Sequence, residues 1–234
     1  MSGFPERAII LAGGFGTRLR SVVSDVPKPM APVNGRPFLA YLLDAVIARG
    51  VTDITLAVGY KGETVEAGFG ASRNGATLRY SYEREPLGTG GAVALALEGY
   101  DGQDPIWILN GDTFFDADLG AVAKTHHDAG ADVTLALKAM DLADRYGLVE
   151  TDEGGRITRF REKQPDAAGL INAGVYLLQP AALRLFGFPQ RFSLEKDFFE
   201  RHLATLNVVG VPQDGYFVDI GVPEDYERAQ AHFA

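Results

Sequence analysis

Short apolar runs alternate with helix-patterned stretches along the first half of the chain, and that alternation narrows the fold more than any single motif. The runs 8–11, 54–58, 78–82, 106–109 and 133–137 read as strands. They are brief, continuous and apolar, as strands buried on both faces are. Between them, 38–49, 63–69, 91–97 and 119–129 read as helices. In the first of these, Phe38, Leu39, Leu42, Leu43, Val46 and Ile47 fall on one helical stripe, which needs a sheet to lie against.

This pattern predicts an α/β fold of Rossmann-like character: a mostly parallel central sheet with helices on both faces. The second half changes character. Runs 148–151, 157–160 and 170–178 read as strands with short connections, and Asp152-Glu153-Gly154-Gly155 is a hairpin turn signal. They predict a small mixed β layer. Helices near 193–203 and 223–233 bracket strands at 208–211 and 216–219. No linker, low-complexity run or internal repeat interrupts the 234 residues. The expectation is one domain over 1–234, divided at about 139/140, with no further C-terminal repeat domain.

Ligands of such sheets bind at the carboxyl ends of the strands. The first strand, Ala8-Ile9-Ile10-Leu11, runs into Ala12-Gly13-Gly14-Phe15-Gly16-Thr17-Arg18-Leu19, with Pro27-Lys28-Pro29-Met30 close behind. Glycines let backbone N–H groups approach phosphate oxygens. Arg18 and Lys28 supply positive charge to a polyanion. Leu19 stands where a dinucleotide fingerprint needs its third glycine, and no G-x-x-x-x-G-K-[ST] occurs. Glycines alone would mean only a tight strand-to-helix turn. Glycines with Thr17-Arg18 and Pro27-Lys28 at this spacing are far more specific.

These residues resemble the signature G-G-x-G-T-R-L followed by P-K-P of the nucleotidyltransferases that join a nucleoside triphosphate to a sugar 1-phosphate. The resemblance extends over nearly the whole chain. At Arg20-Ser21-Val22-Val23-Ser24-Asp25 the chain looks like the branch that guanylylates D-glycero-α-D-manno-heptose 1-phosphate. It implies an in-line displacement assisted by Mg²⁺ that releases pyrophosphate. It also implies a nucleotide half over about 1–139 and a sugar half over about 140–234. Mannose, glucose and N-acetylmuramic acid 1-phosphates remain open as acceptors, with other nucleotides.

The chemistry requires phosphate-facing N–H groups, cations and metal-holding carboxylates. Asp112 emerges after the apolar run Ile106-Trp107-Ile108-Leu109, and Asp219 lies in Phe217-Val218-Asp219-Ile220-Gly221. The resemblance makes both metal ligands. It places Arg18 over the β- and γ-phosphates and Lys28 at the α-phosphate, with Asp112 completing the catalytic set. Leu11, Ala12, Gly13, Gly14, Gly16 and Thr17 form the phosphate loop. A second glycine segment, Pro86-Leu87-Gly88-Thr89-Gly90-Gly91, would hold the base. A carboxylate accepts from two donors on a guanine edge; this favours GTP, with Glu85 as reader and Glu83 in reserve. For the sugar phosphate the resemblance points to Gly147, Glu162, Lys163 and Asn172. Gly147 would give the sugar room, Lys163 would bind the phosphate, and Glu162 and Asn172 would bind hydroxyls.

Two other classes compete. Asp116-Ala117-Asp118 has the D-x-D look of glycosyltransferases that use a finished nucleotide sugar, but Asp118 is placed to cap the helix 119–129. A non-catalytic nucleotide-binding regulator would share the fold and lack the reacting groups. A net charge of −9 disfavours nucleic acid and anionic membranes as partners. Cysteine is absent, so there are no disulfides. The apolar run at 8–12 is too short for a signal peptide or a span, so the expected location is the cytoplasm. The oligomeric state is open, a homodimer included. His126 and His127 read as surface residues and Trp107 as core.

Overall fold

The computed structural model describes residues 3–14 and 26–234. Gly16, Thr17, Arg18 and the segment 20–25 lie outside the described residues.

The strands are β1 (Arg7–Leu11), β2 (Pro32–Val33), β3 (Arg36–Pro37), β4 (Asp53–Val58), β5 (Ser72–Arg73), β6 (Ala76–Tyr82), β7 (Ile106–Asn110), β8 (Thr113–Phe115), β9 (Val133–Met140), β10 (Leu148–Thr151), β11 (Ile157–Arg161), β12 (Gly169–Leu178), β13 (Val208–Gln213) and β14 (Phe217–Asp219). The helices are α1 (Phe38–Ala48), α2 (Gly62–Phe69), α3 (Gly88–Ala96), α4 (Leu119–Asp128), α5 (Pro180–Arg184) and α6 (Pro223–His232). A 3₁₀ turn spans Lys28–Met30 and a π-helix spans Leu194–Glu200.

One sheet of ten strands organises the molecule, in the order β11-β10-β12-β7-β1-β4-β6-β5, with β9 and β13 attached through β12. Strands β7, β1, β4 and β6 are parallel. Side chains alternate across them as the strand period of two requires. Ala8, Ile10, Leu56, Trp107 and Leu109 face one core with α1, α2 and α4. Ile9, Ala57, Ile106 and Ile108 face the other with α3, α5 and the π-helix. The mixed strands expected in the second half are present and continuous with this sheet. β12 runs antiparallel to β7, and β10 and β11 follow it as a hairpin at the sheet edge.

Three details differ from the sequence reading. Helix α3 begins at Gly88 rather than 91. The helix near 193–203 is a π-helix over Leu194–Glu200. His126 is buried, because Leu119, Val122 and His126 share the inward stripe of α4. Its Nδ1 pairs with Thr134 Oγ1 at 2.9 Å, and burial pushes its pKa down to about 4. His127 is exposed and Trp107 is fully buried. Asp118 caps α4, accepting from the Ala121 N–H at 3.0 Å.

Candidate active site

Strand register assembles the site. Leu11 stands opposite Ala57 on β4 and Asn110 on β7, and Val58 stands opposite Tyr82 on β6. The residues just past those ends therefore fall in one row: Gly13-Gly14, Gly59-Tyr60, Glu83 to Glu85, and Asp112. They line a cavity of about 470 Å³ together with Lys28, Gly88, Thr89 and Asn110. Backbone bonds fasten the row, from Ala12 N to Ala57 O (2.8 Å), Glu83 N to Val58 O (2.8 Å) and Gly111 N to Leu11 O (2.9 Å).

Of the expected nucleotide residues, Leu11, Gly13, Gly14, Glu85, Gly88 and Thr89 line this cavity. Ala12 does not; it is buried and serves the strand junction. Gly16, Thr17 and Arg18 lie outside the described residues.

The two aspartates meet through long-range pairing. β14 runs antiparallel to β8 with Asp219 opposite Thr113, and Ile220 N donates to Asp112 O at 3.1 Å. Lys28 stands between the two carboxylates. Its Nζ donates to Asp112 Oδ2 at 2.7 Å and to Asp219 Oδ1 at 3.2 Å. Pro27 and Pro29 flank it, and the 3₁₀ turn pins its backbone through Met30 N to Pro27 O at 2.8 Å. Burial opposes charge on Lys28, but Asp112 and Asp219 outweigh it and hold the ammonium above its ordinary pKa. Burial and then repulsion from Asp112 raise Asp219, with Lys28 opposing. Two partly desolvated carboxylates around one cation make a donor set suited to Mg²⁺, which takes one or two carboxylates and fills its shell with phosphate and water oxygens.

The two glutamates divide. Glu83 is half-buried and its Oε2 accepts from Leu87 N at 3.0 Å. Burial raises its pKa and that N–H opposes the rise. Glu83 thus anchors the loop, while Glu85 is exposed at the cavity rim. The second glycine segment is glycine-rich for packing: a side chain begun at Gly90 would meet the Phe192 ring at 2.2 Å, and one at Gly91 would meet Gln190 O at 2.4 Å.

The sugar-side candidates lie outside the cavity lining. Asn172 on β12 donates to Tyr176 Oη at 2.9 Å. Gly147 precedes β10, where a side chain would strike Arg161 O at 2.6 Å; backbone proximity is thus the constraint there. Glu162 and Lys163 are exposed past the end of β11, and Glu162 pairs with Lys196 at 3.4 Å. Asp116 forms an exposed ion pair with Arg49 on the surface. Sequence reasoning passed over Tyr60 and Arg84, which follow strand ends, as well as Glu195; position after a buried strand was the available signal for the first two.

The chain is similar over nearly its whole length to known proteins. The nucleotidyl transferase family model matches residues 7–234. The D-glycero-alpha-D-manno-heptose 1-phosphate guanylyltransferase of Aneurinibacillus thermoaerophilus is 44% identical over 223 residues, covering 95% of this chain and 96% of that protein. The protein of that name from Campylobacter jejuni is 42% identical over 220 residues, covering 94% and 96%. The crystal structure of HddC from Yersinia pseudotuberculosis superposes with a TM-score of 0.88 at 32% identity, over 98% of this chain and 100% of that one. The same protein complexed with GMP-PN gives 0.85. With its strand-end cavity and its paired aspartates, the chain belongs to the nucleotidyl transferase family.

Proposed function

We propose that this protein transfers a guanylyl group from GTP to a sugar 1-phosphate, D-glycero-α-D-manno-heptose 1-phosphate, releasing pyrophosphate. The observation that carries the reading is Lys28, in the lining of a strand-end cavity, held between Asp112 and Asp219. The 42–44% identity to two heptose 1-phosphate guanylyltransferases supports the choice of substrates.

Asp112 and Asp219 would hold Mg²⁺, which when bound neutralises phosphate charge and fixes the triphosphate. Lys28 places a buried, pre-oriented ammonium beside that centre, where charge shifts as the acceptor oxygen approaches the α-phosphorus. Its orientation is set before substrate arrives, so little reorganisation accompanies the step. Arg18 would meet the departing pyrophosphate. Glu85 would accept hydrogen bonds from the guanine edge. Gly147, Glu162, Lys163 and Asn172 would bind the acceptor, Lys163 at its phosphate.

The test is pyrophosphate release with Mg²⁺ from GTP, ATP, CTP, UTP and dTTP, each paired with heptose, mannose, glucose and N-acetylmuramic acid 1-phosphates. Release confined to GTP with the manno-heptose is expected. Release with another pair rejects the substrate assignment. Nucleotide binding with no release from any pair rejects the enzyme reading.

A further inference from the structure

A hydrogen-bonded chain centred on Glu195, a residue the proposed reaction does not use, reaches the cavity lining at Thr89. Glu195 lies in the first turn of the π-helix. Its Oε2 accepts from Thr89 Oγ1 at 2.7 Å and from Ser193 Oγ at 3.0 Å. Its Oε1 accepts from Tyr176 Oη at 3.2 Å. The tyrosine oxygen in turn accepts from Asn172 Nδ2 at 2.9 Å. Thr89 lines the nucleotide cavity, whereas Asn172 is the acceptor-side candidate.

Donor directions in this chain are forced. A carboxylate only accepts, so the three hydroxyls all aim their protons at Glu195. Tyr176, its proton committed, is left as an acceptor and takes an N–H from Asn172. Thr89 Oγ1, likewise committed, accepts from Leu194 N at 2.8 Å. Asn172 therefore turns its NH₂ to Tyr176 and its Oδ1 to Gly174 N, 2.9 Å away. Tyr176 is buried, so water does not compete for these bonds.

We infer that Glu195 is a positioning residue: through Tyr176 it sets the amide orientation of Asn172, and it ties nucleotide-side Thr89 to acceptor-side Asn172 in one frame. The inference rests on the proposed guanylyl transfer. It goes beyond that reaction by making the acceptor subsite sensitive to a hydroxyl on the nucleotide side.

The experiment compares Thr89→Ser with Thr89→Val, and Tyr176→Phe with Glu195→Gln, reading melting temperature, kcat and the KM of each substrate. Thr89→Ser keeps the hydroxyl and is expected within twofold of the parent for the acceptor KM. Thr89→Val is expected to raise that KM about fivefold or more, although Thr89 lies on the nucleotide side. Tyr176→Phe is expected to raise it about tenfold and to lower kcat. Joining Tyr176→Phe to Glu195→Gln should add less than the product of the single effects, because both cut one chain. Acceptor KM values within twofold of the parent in folded Thr89→Val and Tyr176→Phe proteins would overturn the inference. Should the buried variants not fold, the threonine pair decides it alone. An unmodified protein that transfers nothing rejects the proposed reaction, and the inference with it.

Discussion

The parallel half of the ten-stranded sheet and the outer edge of its antiparallel half hold their candidate lysines, Lys28 and Lys163, in opposite ways. On the parallel side, β1, β4, β6 and β7 end level, and backbone bonds tie the loops that follow. Lys28 is 10% exposed there and fixed to two carboxylates. On the antiparallel side, Glu162 and Lys163 stand exposed at the end of an edge strand. Rigid placement suits the chemical step, where misplaced charge costs rate. Long side chains on an exposed edge suit recognition of an acceptor that differs among relatives.

If that division holds, the largest loss follows Asp112→Asn. It removes a candidate metal ligand and leaves Lys28 with Asp219 alone; kcat should fall at least about a thousandfold with the fold retained. Lys28→Met comes next, with kcat down about 10²–10³-fold, or about 2.7–4 kcal/mol of transition-state stabilisation. Steady-state kinetics on protein of unchanged circular dichroism checks both. A Lys28→Met effect confined to KM would break the comparison.

Lys163→Ala should act the other way, raising the KM for the sugar 1-phosphate about tenfold or more while the GTP KM stays within about threefold. A loss of kcat with both KM values unchanged would move Lys163 into the reacting centre. Glu85→Gln should narrow the preference for GTP over ATP by about tenfold, measured as a ratio of kcat/KM values. An equal effect from Glu83→Gln would remove the distinction between reader and anchor. The smallest effect belongs to Asp116→Asn, which breaks an exposed pair with Arg49 worth about 0–1 kcal/mol. Its activity should stay within about twofold. Severe loss there, with none from Asp112→Asn, would favour the glycosyltransferase reading.

The parallel half was legible because its strands are continuous apolar runs separated by striped helices. Gly13, Gly14 and Asp112 reach the cavity from where those runs stop. Asp219 was legible only as a strand end. What brings it beside Asp112 is the pairing of β14 with β8, two three-residue strands about a hundred positions apart whose partnership leaves no local pattern. His126 was misread for a different reason: a polar residue on an inward stripe looks exposed until its partner, Thr134, is known. Gly90 and Gly91 stand in the segment expected to hold the base, and they admit the stretch carrying Gln190 and Phe192; no rule of spacing reveals that packing. The role of Glu83 turned on one hydrogen bond to Leu87, which composition cannot reveal.

The most direct test is a competition in one vessel: equimolar GTP, ATP, CTP, UTP and dTTP with heptose, mannose and glucose 1-phosphates and Mg²⁺, read by product mass. GDP-heptose is expected as the dominant nucleotide sugar, and Asp112→Asn is expected to abolish it. A dominant product carrying another base or another sugar would contradict the proposed transfer.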